Sequence, residues 1–95
     1  MIVHNFAFRW QPGVTGEQKQ RAAEAIRALQ SAIPEVLALY VGTNVSPRGQ
    51  GYEFGGSMHF ADLAALERYN QHPAHQALLG WLMPLVEPLE IDFEA

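Results

Sequence analysis

The sequence contains no cysteine and few charged side chains. Without cysteine among its 95 residues, the chain has neither a disulfide framework nor thiol chemistry. Charged residues make up 17% of the chain, and the formal net charge is −4. Since binding to phosphate groups needs a clustered basic surface, this composition argues against nucleic acids and anionic membranes as partners.

Long apolar runs are also missing. No run approaches the roughly 20 residues that a membrane-spanning helix needs. The apolar run at the N-terminus is short, is interrupted by His4 and Asn5, and has no basic start. We therefore expect no membrane span, no signal peptide and a cytoplasmic location.

What the chain does have is apolar content, at 48% of its residues. Its length predicts one domain over residues 1–95. A chain of this size buries only a modest fraction of its surface alone, so the surplus of apolar residues indicates a partner surface.

The residue patterns predict the order β-α-β-β-α-β. Strands rich in β-branched and aromatic residues are expected at 2–10, 36–45, 52–60 and 89–94. Thr15 and Gln18 have the spacing of a capping box at the start of the first helix, and Pro34 ends that helix. Asp62 caps the second helical region, which Pro84 and Pro88 are expected to close.

The second helical region is broken in its middle by the stretch from Glu67 to Gln76. Pro73 has no N–H to donate and a preset φ, so it fits the first turn of a new helix with His72 near the cap. A break at this point aims Tyr69 and His75 at the same space.

The last strand has two unlike faces. Leu89, Ile91 and Phe93 alternate with three acidic residues at 90, 92 and 94. Two helices cover only one face of a four-stranded sheet, and apolar residues on the other face imply a second cover. A second copy of the chain is the simplest one.

Several stretches together resemble the stress-responsive dimeric α/β-barrel (Dabb) family, over nearly the whole chain. They are Met-Ile-Val-His at 1–4, Val-Gly-Thr-Asn-Val-Ser-Pro-Arg-Gly-Gln-Gly-Tyr at 41–52, His-Pro-Ala-His at 72–75 and Ile-Asp-Phe at 91–93. The resemblance implies an α+β, ferredoxin-like fold whose protomers pair through their sheets into a homodimeric barrel.

One plant member of that family is a cyclase that closes a polyketide chain by an intramolecular aldol condensation without a cofactor. Its catalytic tyrosine and histidine correspond by motif to Tyr69 and His75. His4 and Asp92 match polar positions that line its pocket.

The chain also departs from that cyclase. Aromatic residues on the first helix of the cyclase are replaced here by Ala22, Ala23 and Ile26, and a valine on its third strand is replaced by Gly56. The pocket therefore has a different shape, and the substrate does not carry over.

Two readings of the motif residues remain open. His75 is suited to act as a general base because imidazole titrates near ~6.5, while the Tyr69 hydroxyl would stabilise an oxyanion. Alternatively, His75 is a buried histidine bonded to a backbone carbonyl or to Asp92, and Tyr69 is a core aromatic. His4 lies on an apolar face and needs a polar partner, for which Asp92 is the natural candidate.

We expect a small, mostly apolar cavity between sheet and helices, with His4, Tyr69, His75 and Asp92 as its polar groups. Its apolar lining is predicted to be Phe6, Phe8, Ile26, Gly56, Met58, Leu78 and Trp81. The mid-strand glycine at 56 either opens space for a ligand or lets Trp81 pack on bare backbone.

Metal and cofactor sites are not expected. His72 and His75, with His4 and Asp92, mimic a two-histidine, one-carboxylate set, but Pro73 disturbs the spacing. A haem-binding relative of the wider superfamily would need His4 or His75 as its ligand.

The sequence thus supports two functional hypotheses. The first is a cofactor-independent cyclase- or lyase-type enzyme that transfers protons on a small carbonyl or polyketide-like compound. The second is a non-catalytic small-ligand-binding or stress-response protein of the same family, in which the same polar groups only hold the fold.

Overall fold

Four antiparallel strands form a single sheet with three helices on one face, in a computed structural model of residues 1–95. The strands are β1 (Ile2–Trp10), β2 (Ala38–Thr43), β3 (Phe54–Phe60) and β4 (Val86–Glu94), in the spatial order β2-β3-β1-β4. The helices are α1 (Gly16–Ala32), α2 (Leu63–Gln71) and α3 (Pro73–Leu82), and a 3₁₀ turn at Met83–Leu85 leads into β4. This arrangement confirms the predicted ferredoxin-like fold. None of the helices combines the length and apolarity needed to cross a bilayer.

Alternation along the central strand β1 defines the two faces of the sheet. Ile2, His4, Phe6 and Phe8 are buried beneath the helices, while the intervening residues are only half-buried. In the register of the sheet, His4 lies opposite Asp92 and Phe6 lies opposite Gly56. The helix-covered face therefore carries the core and every polar group predicted for the pocket.

The helices are positioned by their caps and by an apolar stripe. The predicted capping box is present: the Gln18 N–H donates to the Thr15 hydroxyl, and the Thr15 N–H donates to the Gln18 side chain. The largest fully buried side chains are those of Phe60 and Met58 in β3, Leu82 in α3 and Ile33 directly after α1.

Strand β4 begins at Val86, three residues before the predicted start, and the expectation that Pro88 closes a helix is wrong. Pro88 lies within β4 opposite Phe8. β4 is an edge strand, where a residue without an N–H is tolerated. Pro84 instead lies in the 3₁₀ turn. Strands β2 and β3 are each shorter than predicted. At the loop end of both strands, the Asn44 side chain bonds the backbone of Ser46 and Tyr52.

The face of the sheet without helices is apolar. Leu89, Ile91 and Phe93 lie on it with exposed fractions of 45%, 60% and 51%, and Tyr40 of β2 is 66% exposed. In the register these residues share a face with Val3, Asn5 and Ala7 of β1. We call this surface, formed by residues 3, 5, 7, 40, 89, 91 and 93, the open face.

Gly56 has no space for a side chain. A Cβ atom built there lies 2.6 Å from each of the Phe6 ring, the Tyr40 carbonyl oxygen and the Val41 side chain. The Phe6 ring therefore occupies the space that the absent side chain of Gly56 leaves, and neither Trp81 nor a ligand occupies it.

We predict that Gly56→Ala lowers the free energy of unfolding by about 1–3 kcal/mol, because the backbone oxygen of Tyr40 cannot move aside easily. Denaturant unfolding measures the change. The matched control is Gly80→Ala on α3, where nothing lies within 4 Å of the added atom. That helical substitution should stabilise by up to about 1 kcal/mol. An unchanged stability of Gly56→Ala would contradict the packing described.

Candidate functional site

A break between α2 and α3 organises the site. α2 ends at Gln71, and Pro73 is the first residue of α3. The His72 side chain caps α3, with the Ala74 N–H donating to its Nδ1 over 3.1 Å, while the His72 N–H donates to the Tyr69 carbonyl. His72 therefore has a structural role at the cap, as the sequence indicated.

The break leaves the Asn70 carbonyl without its usual partner. In a continuous helix the Ala74 N–H would donate to this oxygen, but here it caps against His72. The Asn70 oxygen instead accepts from His75 Nδ1 at 3.0 Å and from the Gln76 side chain at 2.6 Å. Because a carbonyl only accepts, Nδ1 of His75 carries the proton, and Nε2 holds a free lone pair when the ring is neutral.

Tyr69 lies directly against His75, with ring centroids 4.4 Å apart. It is only 2% exposed and also packs on Phe60 of β3, at 5.0 Å between centroids. The structure thus brings together the two residues that the family resemblance marks as catalytic.

His4 makes the predicted contact with Asp92. Its Nδ1 donates to the Asp92 carboxylate over 2.5 Å, and the pairing follows from their opposed positions on β1 and β4. The His4 ring lies 6.1 Å from the Tyr69 ring, between centroids. Asp92 fixes the orientation of His4. His75 is bonded to a backbone carbonyl, that of Asn70, which is one of the two partners expected for a buried histidine here, and not to Asp92.

These groups surround a cavity of about 30 Å³. Eight of the residues predicted for the site line it, namely His4, Phe6, Phe8, Ile26, Met58, Tyr69, His75 and Leu78. The remaining lining residues are Leu29, Leu79, Leu82, Met83 and Glu90. A volume of this size holds one or two water molecules.

Three of the predicted site residues lie outside this cavity. Asp92 contacts it only through His4. Gly56 lies under the Phe6 ring. Trp81 is partly buried on the side of α3 that faces α1, where the Arg21 guanidinium lies 4.0 Å from its ring centroid. The helical spacing placed Trp81 on the correct helix, but the stripe that faces the sheet consists of Leu78 and Leu82.

Glu90 is the functional candidate that sequence reasoning missed. It is exposed, yet it lines the cavity, which places its carboxylate at the mouth. The signal was available in the sequence, because Glu90 lies two residues before Asp92 and therefore on the same face of β4.

The electrostatics of the site favour a neutral histidine and a protonated tyrosine. Burial lowers the pKa of His75 below its ordinary value, although the Asn70 bond and the Glu90 carboxylate act in the opposite direction. Burial also raises the pKa of Tyr69 well above its ordinary value, and Glu90 adds to that rise. At neutral pH the site thus combines an unprotonated imidazole nitrogen with a phenol that keeps its proton.

Three residues that line the cavity each have a polar side-chain atom without a hydrogen-bond partner in the protein. No hydrogen bond involves the Tyr69 hydroxyl, Nε2 of His4 or Nε2 of His75. Every side-chain polar atom that is sealed from solvent has a hydrogen-bond partner. These three atoms have none, so they are not sealed. Since Tyr69 and His4 are 2% and 5% exposed, the space that their free atoms contact is the cavity.

The side chains present do not form a metal centre. No group of three or more His, Asp or Glu side chains is arranged to hold an ion. His72 and His75 use their Nδ1 atoms for the backbone of Ala74 and Asn70.

Solved structures share this fold. A Dabb family protein with a ferredoxin-like fold from Mesorhizobium loti is 34% identical, with a TM-score of 0.86 over 99% of this chain and 95% of that one. A dimeric ferredoxin-like protein of unknown function from Thermobifida fusca is 26% identical, with a TM-score of 0.87 over 99% and 90% of the two chains. The hydroxynitrile lyase of Passiflora edulis, at 18% identity, is similar in fold alone, with a TM-score of 0.87 over 97% and 91%.

Sequence comparison identifies the family. An uncharacterized protein of Streptomyces coelicolor is 37% identical over 79 residues, which is 81% of each chain. The family model of the stress responsive A/B barrel domain matches residues 2–95. The chain therefore belongs to the stress responsive A/B barrel domain (Dabb) family.

Proposed function

We propose that the cavity is the active site of a cofactor-independent, cyclase- or lyase-type enzyme that transfers a proton on a small carbonyl compound. The observation that carries this proposal is that one apolar cavity is lined by three residues, His4, Tyr69 and His75, each of which has a polar atom without a hydrogen-bond partner. Buried polar groups in proteins normally have partners, so a set of free ones in one space is suited to a polar ligand.

The arrangement assigns a role to each group. Nε2 of His75 removes a proton from the carbon next to the carbonyl, because Asn70 holds the proton of the ring on Nδ1. The Tyr69 hydroxyl donates to the carbonyl oxygen as it gains negative charge. The imidazolium of His75 then returns the proton to the product, so no cofactor is consumed. His4, held by Asp92, carries its proton on Nδ1, so Nε2 of the neutral ring accepts a hydrogen bond from a hydroxyl group of a substrate.

The size of the cavity restricts the substrate. About 30 Å³ is less than a carbonyl compound of five heavy atoms occupies, so side chains at the mouth must move apart for entry. Leu79, Met83 and Glu90 line this side and are not fully buried. The enzyme is therefore suited to small apolar compounds.

The second candidate is a non-catalytic ligand-binding or stress-response protein. The bond between His75 and the Asn70 carbonyl favours it, since the same bond satisfies an orphan helix-end acceptor and so stabilises the break between α2 and α3. In that case the loss of His75 would cost stability, with no reaction to lose.

We predict that the protein catalyses exchange of the α-protons of butanone for deuterium in D₂O. His75→Ala should lower the rate by roughly 10²–10⁴-fold because it removes the base. Tyr69→Phe should lower it by about 10²-fold or more because it removes one oxyanion donor and keeps the ring. Proton NMR of the ketone measures the exchange.

The control for this experiment is Tyr52→Phe before β3, which does not line the cavity. This variant should exchange butanone at the wild-type rate. No exchange by the wild type, together with a much lower melting temperature of His75→Ala, would favour the second candidate.

We predict that the exchange rate falls in acid with a midpoint below about 6.5, the ordinary pKa of histidine. Burial disfavours the charged form of His75, so the base stays unprotonated to lower pH. The same shift means that the unfolded chain binds a proton more readily, and stability should decrease as the pH falls below about 6.5. A midpoint above 7 in the pH–rate profile would contradict this assignment.

We also propose that the chain forms a homodimer through its open face, which is apolar and has no helices over it. Dimeric solved relatives of the same fold support this proposal. Two open faces packed together would close the two sheets into a barrel.

Ile91→Lys should dissociate or unfold the dimer, because it places an unpaired charge in an apolar interface. Sedimentation or light scattering at micromolar concentration measures the mass. Leu63→Lys is the control, since Leu63 is 68% exposed at the start of α2 on the helical side. A stable wild-type monomer would overturn the dimer proposal.

A further inference from the structure

The cavity carries one formal charge, and it is negative. Glu90 is the only Asp, Glu, Lys or Arg side chain among the lining residues. It is fixed at the mouth by the register of the sheet, opposite Phe6 and two residues before Asp92. Asp92 is bonded to His4, so Glu90 is the acidic group that a ligand meets first.

No cation compensates Glu90. The ion pairs of the protein join His4 with Asp92, Arg9 with Glu87, Lys19 with Glu53, and Arg68 with Glu35, and Glu90 belongs to none of them. Its carboxylate also makes no hydrogen bond within the protein. The nearest polar groups of the site are Tyr69 and His75, whose ionisation its charge affects.

We propose that this site selects neutral carbonyl compounds and rejects carboxylates and phosphates, with Glu90 as the residue that sets this specificity. The inference rests on the proposed function, of which it names the substrate class. An anion entering the cavity would lose its hydration next to an uncompensated carboxylate, in a space that offers no Lys or Arg.

The same charge also acts within the proposed reaction. When His75 takes a proton it becomes an imidazolium, and the Glu90 carboxylate stabilises that positive charge across the mouth. The enolate oxygen forms at Tyr69, where the charge of Glu90 disfavours a negative group. Stabilisation of the enolate therefore depends on the phenol of Tyr69 and on the newly charged imidazole.

Butanone and propionate are matched probes, because both have five heavy atoms and an ethyl group beside a carbonyl carbon, and only propionate is charged at neutral pH. Titration of each into the isotope-labelled protein, followed by NMR shifts of Tyr69, His75 and Leu78, gives the two dissociation constants. We expect butanone to bind about tenfold more tightly than propionate, as one unscreened charge at the mouth would produce.

Glu90→Gln should reduce this ratio to about threefold or less by strengthening the binding of propionate, since it removes the charge and keeps the shape. Glu94→Gln is the control. It removes the same charge from the same face of β4, about 13 Å further along the strand, and should leave the ratio unchanged.

Propionate that binds as tightly as butanone to the wild type, or an unchanged ratio in Glu90→Gln, would overturn the inference. So would the absence of any shift at the cavity residues with both probes. Deuterium exchange of butanone without charge selectivity would leave the proposed function standing, whereas selectivity without exchange would support this inference and count against catalysis.

Discussion

The backbone carbonyl of Asn70, which the helix break leaves without its helical donor, determines the geometry of the site. Pro73 forces a break between α2 and α3, and the Ala74 N–H then caps against His72 and not against Asn70. A helix-end carbonyl in this position must find other donors, and His75 Nδ1 at 3.0 Å and the Gln76 side-chain amide at 2.6 Å supply them. The bond fixes the tautomer and the orientation of the ring. The free nitrogen of His75 is therefore a consequence of how the chain satisfies a backbone group.

The apolar surroundings give this nitrogen its chemistry. Burial lowers the pKa of His75 and raises that of Tyr69, so at neutral pH one group accepts a proton and the other donates a hydrogen bond. Both effects come from the close packing of rings around the cavity, in which Tyr69 lies 4.4 Å from His75 and 5.0 Å from Phe60. Gly56 contributes indirectly, since it makes room for the Phe6 ring that forms one wall.

The sequence predicted the fold and much of the site because local rules determine both. Alternation placed His4 on the helix-covered face opposite Asp92, and Pro73 located the break. The prediction failed where two elements compete for one space. Helical spacing is compatible with several apolar stripes along α3. The packing of Trp81 on Arg21 therefore depends on the fit between α1 and α3. The Asn70 contact also required the actual geometry of the break.

The central claim is that the Asn70 carbonyl holds His75 as a neutral base with its lone pair on Nε2. The most direct measurement is the tautomeric state of His75 at neutral pH, from nitrogen-15 NMR shifts and two-bond couplings of the imidazole ring. We expect a protonated Nδ1 and an unprotonated Nε2. A proton on Nε2, or a ring that is fully protonated at neutral pH, would contradict it.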